Sequence, residues 1–332
     1  MKKKTWSMLA PVVLLLILAI SACKKTVGTP EDNAAAKEGQ EEEAEEEYVV
    51  GFSGIDMENP YFITLEHAAR EVFEEEGYRL ITKDPKSDPD MQETQIQEMI
   101  EEGIDAIILS PVNWEKITPS LELLKGAGVK IINVDTQVKE MDYVDAYIGS
   151  DNYSAGVICG KDLIERCPEG GKVAILECPT QNSINERITG FEETLATAEK
   201  GFEVVAREDT GGEFGRALEA SERIFKENPD IVAIMCGNDQ LAVGAKTAAN
   251  VAELKEVFIY GVDGSPDIKK ELKKPDTQIA GTAAQSPIGL GKSAARLTAA
   301  VLRNDSFEPI TYEEVFMINK DNVDMYGTDG WQ

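Results

Sequence analysis

Carboxylate, amide and aromatic side chains recur in this sequence directly after short apolar segments. Carboxylates accept hydrogen bonds from hydroxyl groups, amides both donate and accept them, and aromatic faces pack against the C–H face of a saturated ring. No obvious nucleophile adjoins a base in these segments, so the set predicts binding of a polyhydroxylated ring rather than catalysis. The candidate ligand-binding residues are Asn59, Tyr61, Phe62, Trp114, Asp135, Thr136, Asn185, Phe214, Asn238, Asp263 and Gln285.

Several of these residues also have a purely structural interpretation. Asparagine and aspartate are favoured as helix N-caps, which would account for Asn238 and Asp263. Phe62 can act as a hydrophobic staple, and Trp114 can cover the first turn of its helix. The occurrence of such residues after most apolar segments, in both halves of the chain, favours the binding interpretation.

The elements that must position these residues alternate along the chain. Short β-branched segments alternate with helical patterns, which is typical of βαβ units and a parallel sheet. Two successive sets of five strands predict two similar α/β lobes, each with a doubly wound parallel sheet. Ligands bind beyond the carboxyl ends of the strands in such sheets, where the candidate residues lie. The predicted strands lie near 48–53, 78–82, 106–109, 129–134, 146–149, 172–177, 202–206, 231–235, 257–262 and 278–282.

A further helix near 287–303 and a strand near 312–318 follow the second set of strands. These elements are not expected if the two lobes are independent and consecutive. We therefore expect the chain to cross between the lobes more than once and to form a hinge between them.

The beginning of the sequence has the pattern of an export signal. Lysines at 2–4 precede an apolar stretch that ends in small residues, which predicts a signal peptide over 1–22. The segment 20–23 resembles a bacterial lipobox, so Cys23 is expected to carry lipid; an ordinary signal peptide with an unrelated cysteine is the alternative. The acidic segment 23–47 has too few large apolar residues to fold and predicts an extended tether. The protein is thus expected outside the cytoplasm, lipid-anchored to the outer face of a bacterial cell membrane.

Composition excludes several classes of function. The chain has 33 Lys and Arg against 61 Asp and Glu, a formal net charge of -28, without a basic cluster, which argues against binding nucleic acid. A single histidine, His67, leaves little basis for a His-based metal site or catalytic triad. The segment 289–294, GLGKSA, lacks the first glycine of a phosphate-binding loop, since Ser286 stands there. No cofactor is expected.

The motifs in combination resemble the ribose-type periplasmic binding proteins of ABC importers, also called type I sugar-binding proteins. The resemblance covers the chain from about Tyr48 to Ile318. Its motifs are NPYF at 59–62, MQETQIQEMIEEGIDAIILSP at 91–111, VD at 134–135, IGSDN at 148–152, ERITGF at 186–191, GNDQLAVGA at 237–245, GVDGSPD at 261–267 and AAQSP at 283–287.

The resemblance implies two lobes joined by three strands, near 149–152, 284–287 and 310–313, that close on a sugar. It implies a first lobe of 48–150 plus 286–311 and a second of 151–285 plus 312–332. It also implies that the loaded protein, expected to be a monomer, docks on the permease subunits of an ABC importer. Ligand contacts would come from the candidate residues of both lobes.

Two positions depart from the ribose-binding pattern. That pattern has arginine where this chain has Thr136 and Asn185. An arginine fork of donors is hard to replace, so ribose itself is not the expected ligand. Because Asp135 and Asp263 are retained, we expect a pocket poor in donors and a neutral, donor-rich ligand such as another monosaccharide or a polyol.

Three other functions are compatible with parts of this pattern. Transcription repressors share the fold, but they have an N-terminal helix-turn-helix where this chain has the lipobox and the acidic tether. A secreted carbohydrate-active enzyme could use Asp135 and Asp263 as paired carboxylates. A sensory receptor that signals rather than imports is the main alternative, and the sequence does not separate it from an importer component.

Overall fold

The computed structural model of the protein describes residues 48–332. The predicted signal peptide (1–22), the lipidation at Cys23 and the tether (23–47) lie outside the described residues. Within the described range, no helix combines the length and the apolar character needed to cross a membrane.

The first lobe is built on a six-stranded sheet. Its strands are β1 (Val49–Ser53), β2 (Arg79–Lys83), β3 (Ala106–Leu109), β4 (Lys130–Val134), β5 (Ala146–Ser150) and β11 (Ile310–Glu313). They lie in the order β11-β5-β4-β3-β1-β2, and all five pairings are parallel. Its helices are α1 (Pro60–Glu76), α2 (Pro89–Glu101), α3 (Thr118–Gly126) and α9 (Pro287–Arg303).

The second lobe repeats this arrangement. Its strands are β6 (Gly171–Glu177), β7 (Phe202–Asp209), β8 (Ile231–Cys236), β9 (Phe258–Asp263), β10 (Ile279–Ala284) and β12 (Phe316–Asn319). They lie in the order β12-β10-β9-β8-β6-β7, which matches the first sheet strand for strand. The sheets differ at one edge, because β12 runs antiparallel to β10. The helices of this lobe are α4 (Asn152–Arg166), α5 (Asn182–Leu195), α6 (Phe214–Glu227), α7 (Asp239–Val251) and α8 (Pro266–Leu272).

Local sequence explains where these elements begin and end. The strands are short apolar segments, and all four residues of β3 are buried because apolar clusters cover both faces of the sheet. Helix α1 begins where the Asn59 side chain accepts a hydrogen bond from the main-chain N–H of Tyr61, with Pro60 at the first helical position. It ends at Gly77, whose positive φ of 75° suits a left-handed C-cap.

The predicted fold of two parallel-sheet α/β lobes is confirmed, with one correction at the end of the chain. The chain passes between the sheets three times, after β5, between β10 and α9, and between β11 and β12. The single strand predicted near 312–318 is wrong, because β11 and β12 are separate strands in different sheets. The third crossing lies at 314–315, later than the predicted lobe boundary after residue 311. A strand that changes sheets must leave one ladder of hydrogen bonds before it enters the other.

Candidate ligand-binding site

A small cavity lies between the lobes, at the carboxyl ends of the strands of both sheets. Its volume is about 30 Å³. We call it the polar cavity, and it is lined by Asn59, Tyr61, Phe62, Asp135, Gln181, Ser183, Arg187, Asn238, Asp263 and Gln285. Seven of the eleven candidate residues lie in this lining. That they contact a ligand stays a prediction.

Helix α1 of the first lobe supplies the aromatic wall of the polar cavity. The rings of Tyr61 and Phe62 are buried and meet edge to face, with centroids 5.3 Å apart. Asn59 lines the cavity and also caps α1, since its Oδ1 accepts from the Tyr61 main-chain N–H at 3.0 Å. Asn59 therefore both caps the helix and lines the cavity, because the first turn of α1 faces the cleft.

Asp135 is the carboxylate that the first lobe contributes. It follows β4 directly, with a left-handed φ of 64°, a conformation that aspartate tolerates better than most residues. Its Oδ2 accepts from the hydroxyls of Ser110 and Thr136, each at 3.3 Å. Burial raises the pKa of this carboxyl, and the guanidinium of Arg187 opposes that shift.

Arg187 is the cation of the polar cavity, and it was not among the candidate ligand contacts. It is 3% exposed. Its Nε donates to Asn152 Oδ1 at 2.8 Å, and its Nη1 donates to the Gly237 carbonyl at 2.8 Å and lies 3.8 Å from Asp263 Oδ1. The close approach of α4 and α5 fixes this position, since a Cβ at Gly156 would lie 1.9 Å from the Arg187 carbonyl oxygen. The cavity thus has a guanidinium that the expected donor-poor pocket did not include.

Asp263 ends β9 with a φ of 137°, which is strained for any residue other than glycine. Gln285 Nε2 donates to Asp263 Oδ1 at 2.7 Å. Burial raises the pKa of Asp263 to about 6, although Arg187 acts in the opposite direction. Asp263 is not a helix cap, since Ser265 caps α8.

Asp239 places a second buried carboxyl behind Asp263. It accepts from the Thr282 hydroxyl at 2.7 Å and from the Ser265 main-chain N–H at 2.7 Å. Burial and the nearby Asp263 carboxyl raise the pKa of Asp239 to about 8. The second lobe therefore places two buried carboxyls next to the cavity, of which Asp239 is largely protonated at pH 7, with Arg187 as the cation that lines the cavity.

Two polar atoms that border the polar cavity have no hydrogen-bond partner within residues 48–332. They are Tyr61 Oη and Gln285 Oε1, both buried. Burial, followed by the carboxylates of Asp135 and Asp263, raises the pKa of Tyr61 well above its usual value. Buried polar groups are almost always paired. The cavity therefore offers one unsatisfied amide oxygen and one hydroxyl to whatever binds between the lobes.

The lobes are closed on each other around this cavity. The hydroxyl oxygens of Thr136 in the first lobe and Ser183 in the second lie 2.7 Å apart. The Trp114 main-chain N–H donates across the cleft to the Thr180 carbonyl at 3.0 Å. A volume of about 30 Å³ corresponds to about one water molecule. A sugar can therefore enter only after the lobes separate, and side chains must adjust around it.

Four candidate residues do not line the polar cavity. Thr136 lies just outside it, where it binds Asp135 and Ser183. Trp114 lies at the contact between the lobes, with Lys139 Nζ 5.9 Å from its ring centroid. Asn185 lies within α5 rather than in the loop before it, and Phe214 lines two neighbouring cavities.

Sequence reasoning missed three residues of the lining: Gln181, Ser183 and Arg187. All three lie in or just before the first two turns of α5, which begins at Asn182. The signal for Arg187 was present, since a basic residue in the second turn of the helix that follows a strand can face the cleft.

These features define a class: a two-lobed α/β protein with a polar cavity between its lobes. The chain belongs to the periplasmic binding protein family, because the Periplasmic binding protein domain matches residues 50–306. The resemblance drawn from the sequence motifs is thereby confirmed. The relatives are binding proteins of sugar transporters and not enzymes, and neither is this protein an enzyme.

Two curated relatives have names that specify a sugar. The ribose import binding protein of Bacillus subtilis (strain 168) is 26% identical over 301 residues, which cover 90% of this chain and 93% of the relative. The D-allose-binding periplasmic protein of Escherichia coli (strain K12) is 25% identical over 267 residues, which cover 76% of this chain and 84% of the relative.

Solved structures show the same fold. An ABC transporter solute-binding protein from Mycobacterium smegmatis with bound glycerol has a TM-score of 0.81 at 24% identity, over 86% of this chain and 99% of that one. The Caulobacter myo-inositol binding protein bound to myo-inositol has a TM-score of 0.78 at 21% identity, over 83% and 95% of the two chains. At these identities the likeness concerns the fold.

Proposed function

We propose that this protein captures a monosaccharide or a related polyol outside the cytoplasm and delivers it to an ABC importer. The observation that carries the proposal is the polar cavity, to which each lobe contributes a buried carboxylate, Asp135 from one and Asp263 from the other. Hydroxyl groups are the neutral donors that satisfy such acceptors. Tyr61 and Phe62 offer the aromatic faces that pack against sugar C–H groups.

The hinge is expected to close on the ligand because the ligand contacts are divided between the two lobes. A ring whose hydroxyls reach Asp135 and Asp263 at once binds both lobes only in the closed state. The ligand therefore stabilises the closed state by its differential affinity for the two states. No covalent bond changes. The loaded, closed form is then the form that a permease would recognise.

The chemistry of the cavity also limits the ligand. The relatives named above bind ribose or D-allose, and the Caulobacter protein binds myo-inositol, as their names state. Thr136 and Asn185 replace the arginines of the ribose pattern, while Arg187 supplies one guanidinium. A neutral ligand rich in hydroxyls matches two carboxylates and one cation better than a carboxylate or a phosphate does.

The location belongs to the same proposal. A signal peptide over 1–22, lipid on Cys23 and a tether over 23–47 would hold a monomer at the outer face of the cell membrane. We place the lobes at 48–150 plus 286–313 and at 151–285 plus 314–332, joined by the hinge. Tethering keeps the loaded protein at a raised effective concentration near the permease.

Thermal unfolding of the purified protein with pentoses, hexoses and polyols tests this function. Ligand at about 1,000 times its dissociation constant stabilises the folded state by roughly 4 kcal/mol, which raises the unfolding midpoint by several degrees. The expected result is a shift with one compound that Asp135→Ala and Asp263→Ala each abolish. Silence across the whole panel, with folded protein free of co-purified ligand, would overturn the proposal.

A further inference from the structure

A second and much larger cavity adjoins the polar cavity at the edge of the cleft. Its volume is about 570 Å³, against about 30 Å³ for the polar cavity. The two cavities share Asn59 and Asp263 as lining residues. A ligand held at these residues therefore has open space on one side that a single sugar ring does not need.

The walls of this second cavity are mainly apolar. We call it the apolar cavity, and its apolar walls are Pro60, Phe214, Val243, Pro266 and Trp331. Phe214 is 42% exposed, so part of its ring is accessible to a ligand in this cavity. The Trp331 ring meets the Tyr61 ring edge to face, with centroids 5.9 Å apart. The aromatic wall of the polar cavity thus continues into the apolar cavity.

The position of Trp331 is fixed by hydrogen bonds on both sides of it. The buried Lys269 Nζ donates to the Gly330 carbonyl at 2.6 Å and to Gln332 Oε1 at 3.2 Å. Gln332 Nε2 donates to the main-chain oxygens of Asp263 at 3.0 Å and Gln285 at 2.7 Å. Two residues of the polar cavity therefore anchor the segment that carries Trp331.

This segment needs a close approach of the backbone at Gly264. Gly264 has a φ of +76°, and a Cβ there would lie 2.3 Å from Gln332 Nε2. Glycine is the residue that accepts both this conformation and this contact. The wall formed by Trp331 is therefore built into the loop after β9 and is not an incidental contact of a loose segment.

We propose that the apolar cavity binds a planar, uncharged ring joined to the sugar that the polar cavity binds. The ligand would then be an aryl glycoside or a nucleoside, which share this chemistry. The inference rests on the proposed function, because the polar cavity must hold the sugar part.

The size of the apolar cavity and the charges that border it both support an uncharged ring as its occupant. A cavity of about 570 Å³ lies within the range of about 300–1,000 Å³ that is common for small-molecule sites. Aromatic rings stack favourably on tryptophan and phenylalanine faces. The carboxylates of Asp263 and Asp267 border the cavity, so an anionic substituent would be repelled.

Calorimetric titration of the purified protein with matched pairs tests the inference. The pairs are glucose and 4-nitrophenyl glucoside, galactose and 4-nitrophenyl galactoside, and ribose with adenosine and uridine. In at least one set, the ring-bearing member is expected to bind at least about tenfold more tightly than the free sugar. A preference in the 4-nitrophenyl sets identifies aryl glycosides, and a preference in the ribose set identifies nucleosides.

Two variants test whether the apolar cavity causes the preference for the ring-bearing ligand. Trp331→Ala and Phe214→Ala are each expected to reduce the preference, which is the ratio of the two affinities, to about threefold or less. Phe307→Ala is the matched control, since Phe307 is an exposed phenylalanine that lines neither cavity, and it should leave the preference unchanged. Circular dichroism spectra that match the parent protein establish that each variant is folded.

The possible failures are distinguishable. Free sugars that bind as tightly as their ring-bearing partners would overturn this inference and leave the proposed function intact. A preference for the ring that survives in both Trp331→Ala and Phe214→Ala would also overturn it. Absence of binding for every member of every set would overturn the inference, and the proposed function would fall with it only if the thermal-unfolding panel of pentoses, hexoses and polyols is also silent.

Discussion

Asp135 and Asp263 occupy equivalent places in the two lobes. The strands of the two sheets follow the same order, and each aspartate lies at the end of the fourth strand of its lobe, β4 or β9. Both have a positive φ, 64° and 137°, and both are buried. The backbone of the fold therefore aims two carboxylates at one cavity from opposite sides.

The surroundings of the two carboxylates differ. Asp135 is held by the hydroxyls of Ser110 and Thr136. Asp263 faces Arg187 and the Gln285 amide, and it lies against a second carboxyl on Asp239. The two lobes thus share one arrangement of strands but differ in the charged groups around their aspartates. The first lobe surrounds its carboxylate with neutral hydroxyls, and the second lobe holds the charges that must be balanced.

Removal of Arg187 should give the largest difference in stability between variants of the two lobes. Arg187→Met is expected to destabilise the protein by about 3–5 kcal/mol, because it leaves buried carboxylates without their cation. Asp135→Asn, the neutral change in the first lobe, is expected to cost about 1 kcal/mol or less, since an amide oxygen can still accept from both hydroxyls. Urea denaturation at pH 7.5 measures both values.

A double variant provides the control for Arg187. Asp263→Asn in the Arg187→Met background removes the carboxylate nearest the lost cation, so it should restore part of the lost free energy of unfolding. Equal costs for Arg187→Met and Asp135→Asn would show that the two lobes are electrostatically alike.

The pH dependence of stability should come mainly from the second lobe. The carboxyls of Asp239 and Asp263 have pKa values raised to about 8 and about 6 in the folded protein, against an ordinary 3.8. Between about pH 4 and pH 8 the folded state therefore binds more protons than the unfolded state, so stability falls as pH rises. The unfolding midpoint of the ligand-free protein is expected to drop by several degrees from pH 5.5 to pH 8, as measured by calorimetry.

Neutralisation of Asp239 tests whether this carboxyl causes the fall of the unfolding midpoint with rising pH. Asp239→Asn should flatten the midpoint between pH 6 and pH 8, because the carboxyl that titrates there is absent. Asp321→Asn makes the same change of net charge at an exposed position of the second lobe and should leave the slope unchanged. Equal slopes in the two variants would assign the pH dependence to the overall acidity of the chain.

The two lobes and the positions of their aspartates could be predicted from the sequence. The charged groups that surround these aspartates could not. The alternation of apolar segments and helical patterns predicted two α/β lobes. The positions of Asn59, Asp135 and Asp263 directly after predicted strands indicated that they lie at the cleft. Periodicity reports which face of an element is buried. It does not report which side chains from different elements meet, so the environment of Asp263 could not be predicted.

The missed residues have specific physical causes. Arg187 enters the polar cavity because glycines let α4 and α5 pack closely, a tertiary contact that a single sequence does not reveal. Trp331 reaches Tyr61 through hydrogen bonds to Lys269 and to loops far away in sequence. The strand predicted near 312–318 was two strands, since an extended pattern does not specify which sheet it joins.

The smallest expected effect concerns the contact that joins the two lobes. Thr136→Val leaves the buried hydroxyl of Ser183 without its partner 2.7 Å away, which should disfavour the closed state by about 1 kcal/mol. Small-angle X-ray scattering should give a larger radius of gyration, and affinity for the ligand should fall about fivefold. Ser110→Ala also removes a hydrogen bond to Asp135, but within one lobe, so it should not open the cleft. If both variants scatter like the parent, the hydroxyl pair does not hold the lobes together.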